Sequence, residues 1–222
     1  MKTKSLLTVI LFFISIQTFS QASKHQLSSG KITFDISYPD SKLDEETLAN
    51  LPVEAIMKFK DDLIRVEVSM AMGKTTIISN NKTGNGTMLM DMMGNKIAME
   101  MNKEDMMKDK GNSPKPKVEL TRESKDIAGY SCKKAIVTVG TSDGDKSFDA
   151  WFTNDLKVRN SFSSQIEGID GFLMEFQTVQ NGMSMKMKAN HVDPLAIDDS
   201  EFIIPDGYKK LSKEDLKKMT GQ

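Results

Sequence analysis

The sequence predicts a mainly β (α+β) protein with a single antiparallel sheet. Apolar and polar residues alternate with period two in many short runs, which is the pattern of strands with one buried face. Turns containing Gly, Asn or Asp separate several of these runs, and such short connections force neighbouring strands to run antiparallel. Because each strand has one polar face, we expect the sheet to be covered on one side only.

The strands follow one another along most of the chain. The clearest alternation covers 32–38, 63–72 and 183–190. Weaker alternation is found at 53–60, 74–79, 87–93, 96–101, 117–122, 130–139, 146–153 and 171–179. Hairpin turns are expected at 72–74, 94–95, 143–145 and 181–182. The sequence therefore predicts roughly ten or eleven strands.

Three short helices are expected between the strands. Each has a residue suited to cap its first turn: the helices are 45–50 with Asp44, 103–110 with Asn102 and 213–220 with Ser212. A linker-like run at 111–116 splits the chain near its middle, but the strand pattern continues on both sides of it. We therefore expect one domain, over 21–222.

The N-terminus has the pattern of a cleaved signal peptide. Lys2 and Lys4 precede an apolar run at 6–16, and small residues at 18 and 20 suit cleavage after Ser20. A lipoprotein signal needs a cysteine at the cleavage point, and the single cysteine of the chain is Cys132. We expect an exported protein, periplasmic or extracellular, that is not a lipoprotein.

Composition and motifs exclude several classes of function. Lys and Arg number 30 against 31 Asp and Glu, which removes the electrostatic case for nucleic acid. The sequence has no phosphate-binding loop, no serine elbow and no paired histidines for zinc, so we expect no enzyme and no cofactor. No mature segment is long and apolar enough to span a bilayer. The lysines at 209–218 suit either a solvated helix or contact with anionic lipid headgroups.

Cys132 cannot form an intramolecular disulfide, because it has no partner in the chain. We interpret it as a buried strand thiol, since no histidine base is close to it in the sequence. The alternative is a reactive or dimer-forming thiol.

The 17 methionines are the unusual feature of the composition. Many lie two residues apart in predicted strands, which places each set on one sheet face. Three interpretations stay open: loose core packing, an adaptable wall for an apolar ligand, or thioether ligands of a soft metal such as copper or silver.

The functional hypothesis is a lipid or lipid-modified partner bound in a methionine-lined concavity. The alternatives are a soft-metal protein and an envelope structural protein without a ligand. The expected lining is Ile64, Val66, Val68, Met70, Met72, Met88, Met90, Met99, Met101, Met183, Met185 and Met187, with Met106 and Met107 on the helix at 103–110.

Two motifs resemble a family of exported bacterial envelope proteins of unknown function. The first is Ile127-Ala-Gly-Tyr-Ser-Cys-Lys133, and the second is Trp151-Phe-Thr153. The segments at 30–34 and 202–208 also match that family's pattern. The run at 168–173 is similar to the related GLPGLI type, with Asp170 in place of proline.

The resemblance implies a fold similar to the periplasmic lipoprotein carriers of the LolA and LolB type. That fold is a strongly curved antiparallel sheet or incomplete barrel, with two or three short helices covering its concave side. Carriers of this group hold acyl chains between sheet and helices, so the resemblance implies a lipid ligand. Within the second motif, alternation places Trp151 opposite Phe152, facing solvent or a plugging element.

Overall fold

The computed structural model describes residues 26–39, 43–102, 115–141, 144–158, 166–180 and 183–212. The predicted signal peptide and the predicted helices at 103–110 and 213–220 lie outside these ranges. No helix within the described ranges is long and apolar enough to cross a bilayer.

Twelve strands form one sheet. They are β1 (Ser29–Ser37), β2 (Glu54–Lys60), β3 (Leu63–Met70), β4 (Gly73–Asn80), β5 (Asn85–Met92), β6 (Asn95–Met101), β7 (Lys117–Ile127), β8 (Tyr130–Thr141), β9 (Gly144–Thr153), β10 (Phe172–Gln180), β11 (Met183–Asp193) and β12 (Lys209–Leu211). Their order is β12-β6-β5-β4-β3-β2-β1-β11-β10-β9-β8-β7. The sheet is curved and is not closed.

The predicted hairpins are confirmed, but the predicted strand set is incomplete. Consecutive strands from β1 to β6 pair antiparallel, as do β7 with β8, β8 with β9, and β10 with β11. The unpredicted strand β12 pairs with β6 in parallel, with Lys209 opposite Ile97 and Leu211 opposite Met99. Three residues are too few to show an alternating pattern, so the sequence carried no signal for β12.

The sheet has two faces, which we name the core face and the reverse face. The core face carries Ile32, Phe34 and Ile36 of β1 and the side chains that the strand register places beside them. Around β1 this face is closed: Ile32 and Phe172 are 0% exposed, and the rings of Phe34 and Phe172 lie 6.3 Å apart. Burying one such side chain contributes about 1.5–3 kcal/mol.

A segment that we name the strap, residues 198–208, crosses the reverse face of β4–β6. It packs Phe202, Ile204 and Tyr208 against three buried side chains, Ile78, Leu89 and Ala98. The covered side of these strands is therefore the reverse face, whereas around β1 it is the core face. Apolar residues on the second face of β4–β6 provide the reason, because they need a cover of their own.

Ion pairs hold the strap on the sheet. Lys58 pairs with Glu201 at 2.8 Å, and Lys60 pairs with Asp199 at 2.6 Å. The Arg65 guanidinium donates to the backbone carbonyl of Glu201 at 2.9 Å. The short 3₁₀ helix Asp199–Phe202 presents these acidic groups to the strands.

One α-helix, α1 (Glu45–Ala49), is present in the described part of the chain. Its predicted cap is confirmed, because Asp44 accepts a hydrogen bond from the backbone amide of Thr47 at 2.7 Å. That hydrogen bond lowers the pKa of Asp44. No residue of α1 is buried, so this helix does not cover a sheet face as the resemblance implied.

Trp151 does not face solvent, which was one of its two predicted positions. It is 8% exposed and lies on the reverse face, with the Lys125 ammonium 4.1 Å from the ring centroid and that of Lys134 at 5.8 Å. Beside it, Glu175 is 6% exposed and pairs with Lys125 and Lys186. Long lysine side chains cover the indole here, which is a use of lysine that alternation does not predict.

Candidate functional site

The core face of β3–β6 is a continuous apolar surface, which we name the methionine face. The register aligns Val66, Ile77, Met88 and Met99 in one row across the four strands. The members of this surface are half-buried rather than closed off. They are Val66, Val68, Met70, Ile77, Met88, Met90, Met92, Ile97, Met99 and Met101.

Charge is segregated between the two faces of these strands. The core-face positions of β3–β6 carry only apolar or neutral side chains, with Thr75, Ser79 and Asn95 as the polar ones. The charged residues of the same strands point to the reverse face, where Glu67 accepts from Arg65 and from Lys74. Burial opposes ionisation of Glu67, but these two hydrogen bonds outweigh it and lower its pKa.

The predicted lining residues divide into two groups on the same face. Val66, Val68, Met70, Met88, Met90, Met99 and Met101 belong to the methionine face. Met183, Met185 and Met187 lie on β11, which β1 and β2 separate from β3. Met185 and Met187 pack against the main core. The structure therefore does not bring all the predicted methionines into one cluster.

Two predicted lining residues have other surroundings. Ile64 is 0% exposed within the main core, so its side chain is not accessible to a ligand. Met72 is 64% exposed in the turn between β3 and β4, because β3 ends at Met70 rather than at residue 72. Met106 and Met107 lie outside the described residues.

Three residues of the methionine face are absent from the predicted set. Met92 follows Met88 and Met90 at strand spacing, so the sequence contained the signal for it. Ile77 and Ile97 join the surface through pairing with β5, and Met90 lies directly opposite Ile97. Only the pairing of strands places these two isoleucines beside the methionines.

A cleft of about 450 Å³ lies where β3–β6 meet the strap. Most of its side chains belong to the reverse face or to the strap. The lining is Leu63, Ile78, Ser79, Asn80, Asn85, Gly86, Thr87, Glu100, Met101, Asn102, Phe202 and Ile204. Sequence reasoning missed this cleft because one of its walls comes from a segment more than a hundred residues away.

The described residues offer little for acid–base or nucleophilic chemistry. Cys132 is fully buried, as predicted, and its thiol donates to the carbonyl of Tyr130 at 3.4 Å. Burial raises the pKa of this thiol to about 11, so the reactive thiolate is scarce at neutral pH. Within the described ranges, no three His, Cys, Asp or Glu side chains are grouped to hold a metal ion.

The comparisons with known proteins give likenesses to a family model and to solved structures. Residues 92–200, from the end of β5 into the strap, match a family model described as the N-terminal domain of N-glycanase peptide. The fold can be superposed on LprF from Mycobacterium bovis with a TM-score of 0.34 and 12% identity, over 79% of this chain and 90% of that one. No curated protein matches the sequence. The resemblance to the exported family of unknown function stays a prediction.

Proposed function

We propose that this chain is an exported, non-enzymatic protein that binds an apolar ligand, either a lipid or the acyl chain of a lipid-modified partner, on its methionine face. The observation that carries the proposal is the segregation of charge in β3–β6. The core-face positions are uncharged and most of them are half-buried, whereas the charged side chains of the same strands occupy the reverse face.

An uncharged, half-buried face favours an apolar ligand over a charged one. A phosphate or carboxylate group needs a cation or several hydrogen-bond donors, and core-face positions of β3–β6 supply no cation. An acyl chain needs only apolar surface, and each methylene group buried contributes about 0.8 kcal/mol. A chain of ordinary length would therefore be retained by part of this surface.

Methionine suits a ligand whose shape varies. Its side chain is unbranched and has a polarisable sulfur, so it repacks around different chains with little strain. Met88 and Met99 lie directly opposite each other, with Met101 and Met90 in the flanking rows. These four side chains form an adaptable surface at the centre of the proposed site.

Native mass spectrometry of the protein, purified gently from an exporting host, tests the proposal. We expect an added mass of several hundred daltons that extracts into organic solvent. A fluorescent fatty acid then serves as the binding probe for variants. A bare protein that also fails to bind this probe would contradict the proposal and favour a structural role without a ligand.

A matched pair of substitutions separates the two faces of β5. Met90→Lys places a charge at the centre of the methionine face, and we expect it to weaken fatty-acid binding at least tenfold. Asp91→Lys introduces the same side chain on the reverse face and should leave binding unchanged. If both variants bind the fatty acid equally well, the methionine face is not the binding site. Thermal melting of each variant controls for unfolding.

A further inference from the structure

Two hairpin turns lie side by side at one end of the methionine face. The turn at 71–72 joins β3 to β4, and the turn at 93–94 joins β5 to β6. The backbone amide of Met93 donates to the carbonyl of Met72 at 3.3 Å, which holds the turns together. Met93 is 84% exposed and Met72 is 64% exposed, so thioethers at this end are accessible from solution.

Gly73 lies between Met70 and Met92 in the strand register, so no side chain separates these two methionines. Met70 of β3 lies opposite Gly73 of β4, and Gly73 lies opposite Met92 of β5. A Cβ atom built on Gly73 would be 2.7 Å from the sulfur of Met92. The Met92 sulfur therefore occupies space over Gly73 in which any other residue would place its side chain.

We propose that this hairpin end binds one soft monovalent cation, Cu(I) or Ag(I), between the thioethers of Met70 and Met92. Thioether sulfur is a neutral, polarisable ligand that selects such ions. Further thioethers lie close by: Met90 is two residues before Met92 on the same face, and Met72 and Met93 are in the adjoining turns. One of these three completes the coordination.

The surroundings select against hard cations. Zn²⁺, Mg²⁺ and Ca²⁺ need imidazole, thiolate or several oxygen ligands. The nearest carboxylate in sequence, Asp91, points to the reverse face, where it pairs with Lys96 at 3.9 Å. His191 lies on β11, outside the methionine face, and hydrogen-bonds to Asp193 at 2.6 Å. The cation proposal shares residues with the proposed lipid site but depends on different chemistry, because a cation needs sulfur where a lipid needs only apolar surface.

Titration with Ag(I), a redox-inert probe of thioether sites, tests the proposal. Native mass spectrometry of the full protein should show one Ag(I) bound per chain, at least tenfold more tightly than any later one. The double variant Met70→Leu/Met92→Leu removes both sulfurs while nearly conserving side-chain volume. We expect it to lose at least tenfold in affinity for the first Ag(I).

A matched control removes the same number of methionines from β11. Met185→Leu/Met187→Leu should bind the first Ag(I) as the wild type does, and melting curves establish that both double variants are folded. The proposal is overturned if the wild type binds no Ag(I), if Met70→Leu/Met92→Leu binds as the wild type does, or if the control loses as much affinity. The proposed selectivity for soft cations would be overturned if the wild type bound Zn²⁺ tightly and the Met70→Leu/Met92→Leu variant did not.

Discussion

The two halves of the sheet use the same alternating pattern in opposite ways. Around β1, β2 and β10 the core face is closed, and Phe59 and Phe172 are 0% exposed. In β4–β6 the reverse face is the more deeply buried, with Leu89 at 1% and Ala98 at 2% exposed under the strap. The core face of β4–β6 stays half-buried. Alternation determines which residues share a face, but the covering segment determines which face is closed.

Charged residues show the same contrast. In the closed half, Glu175 is held on the reverse face by Lys125 at 2.7 Å and by Lys186 at 2.6 Å. In the methionine half, a charged residue on the reverse face holds the strap: Arg65 donates to the backbone carbonyl of Glu201 at 2.9 Å. The core-face positions of β1, β2 and β3–β6 carry no charged side chain, and β3–β6 leave that face partly accessible.

The largest expected effect is the difference in stability between the two core faces. Phe172→Ala should lower the free energy of unfolding by about 3–5 kcal/mol, because it leaves a cavity in the closed half. Met99→Ala on the half-buried face should cost only about 1 kcal/mol. Urea denaturation of both variants provides the measurement. If both variants lost the same free energy of unfolding, the methionine face would be an ordinary closed core.

The contribution of the buried Glu175 ion pairs to the stability of the protein should depend on pH. Burial raises the pKa of Glu175, but hydrogen bonds from Lys125 and Lys186 outweigh burial and the net pKa is lowered. A carboxyl with a depressed folded-state pKa stabilises the protein above its unfolded pKa, about 4.5, and this stability is lost as the pH falls through the folded pKa.

Glu175→Gln should therefore lower the free energy of unfolding by about 2 kcal/mol at pH 7, and by less as the pH falls below 4.5. Denaturant titrations at a series of pH values measure this convergence. Thr178→Val on the same strand provides a control without a titratable group. A cost that does not vary with pH would show that Glu175 acts through packing alone.

The smallest expected effect is at the turn between β7 and β8. Ala128 has φ +48° and Gly129 has φ +82°, and side chains other than glycine are strained in this region. Ala128→Gly should raise the free energy of unfolding by about 0.5 kcal/mol, because the strain relieved exceeds the added entropy of the unfolded chain. Gly129→Ala should lower it by about 1 kcal/mol. Thermal melting measures both, and a destabilised Ala128→Gly would contradict this account.

The local parts of the fold could be predicted because their causes are local. Alternation in 32–38 became β1, and the Asp44 cap formed as its side-chain chemistry requires. Cys132, within strand β8, is buried as expected. Each of these features depends on residues that are only a few positions apart in the sequence.

The candidate site was predictable only in part. Spacing two residues apart predicted correctly that Met88 and Met90 share a face, and likewise Met99 and Met101. It did not predict that β1 and β2 separate Met183 from the other methionines, because strand order depends on distant pairing. It also treated Met72 as part of a strand, whereas the turn at 71–72 exposes it.

The sequence by itself determined the strands, the hairpins and the sets of side chains that share each face, since period-two alternation is a property of a few consecutive residues. Only the tertiary structure decided which face is closed in each half, where the strap lies and that Gly73 lies between Met70 and Met92. The physical reason is that burial is a contact between distant segments. The sequence around a residue therefore does not show which distant segment will cover that residue.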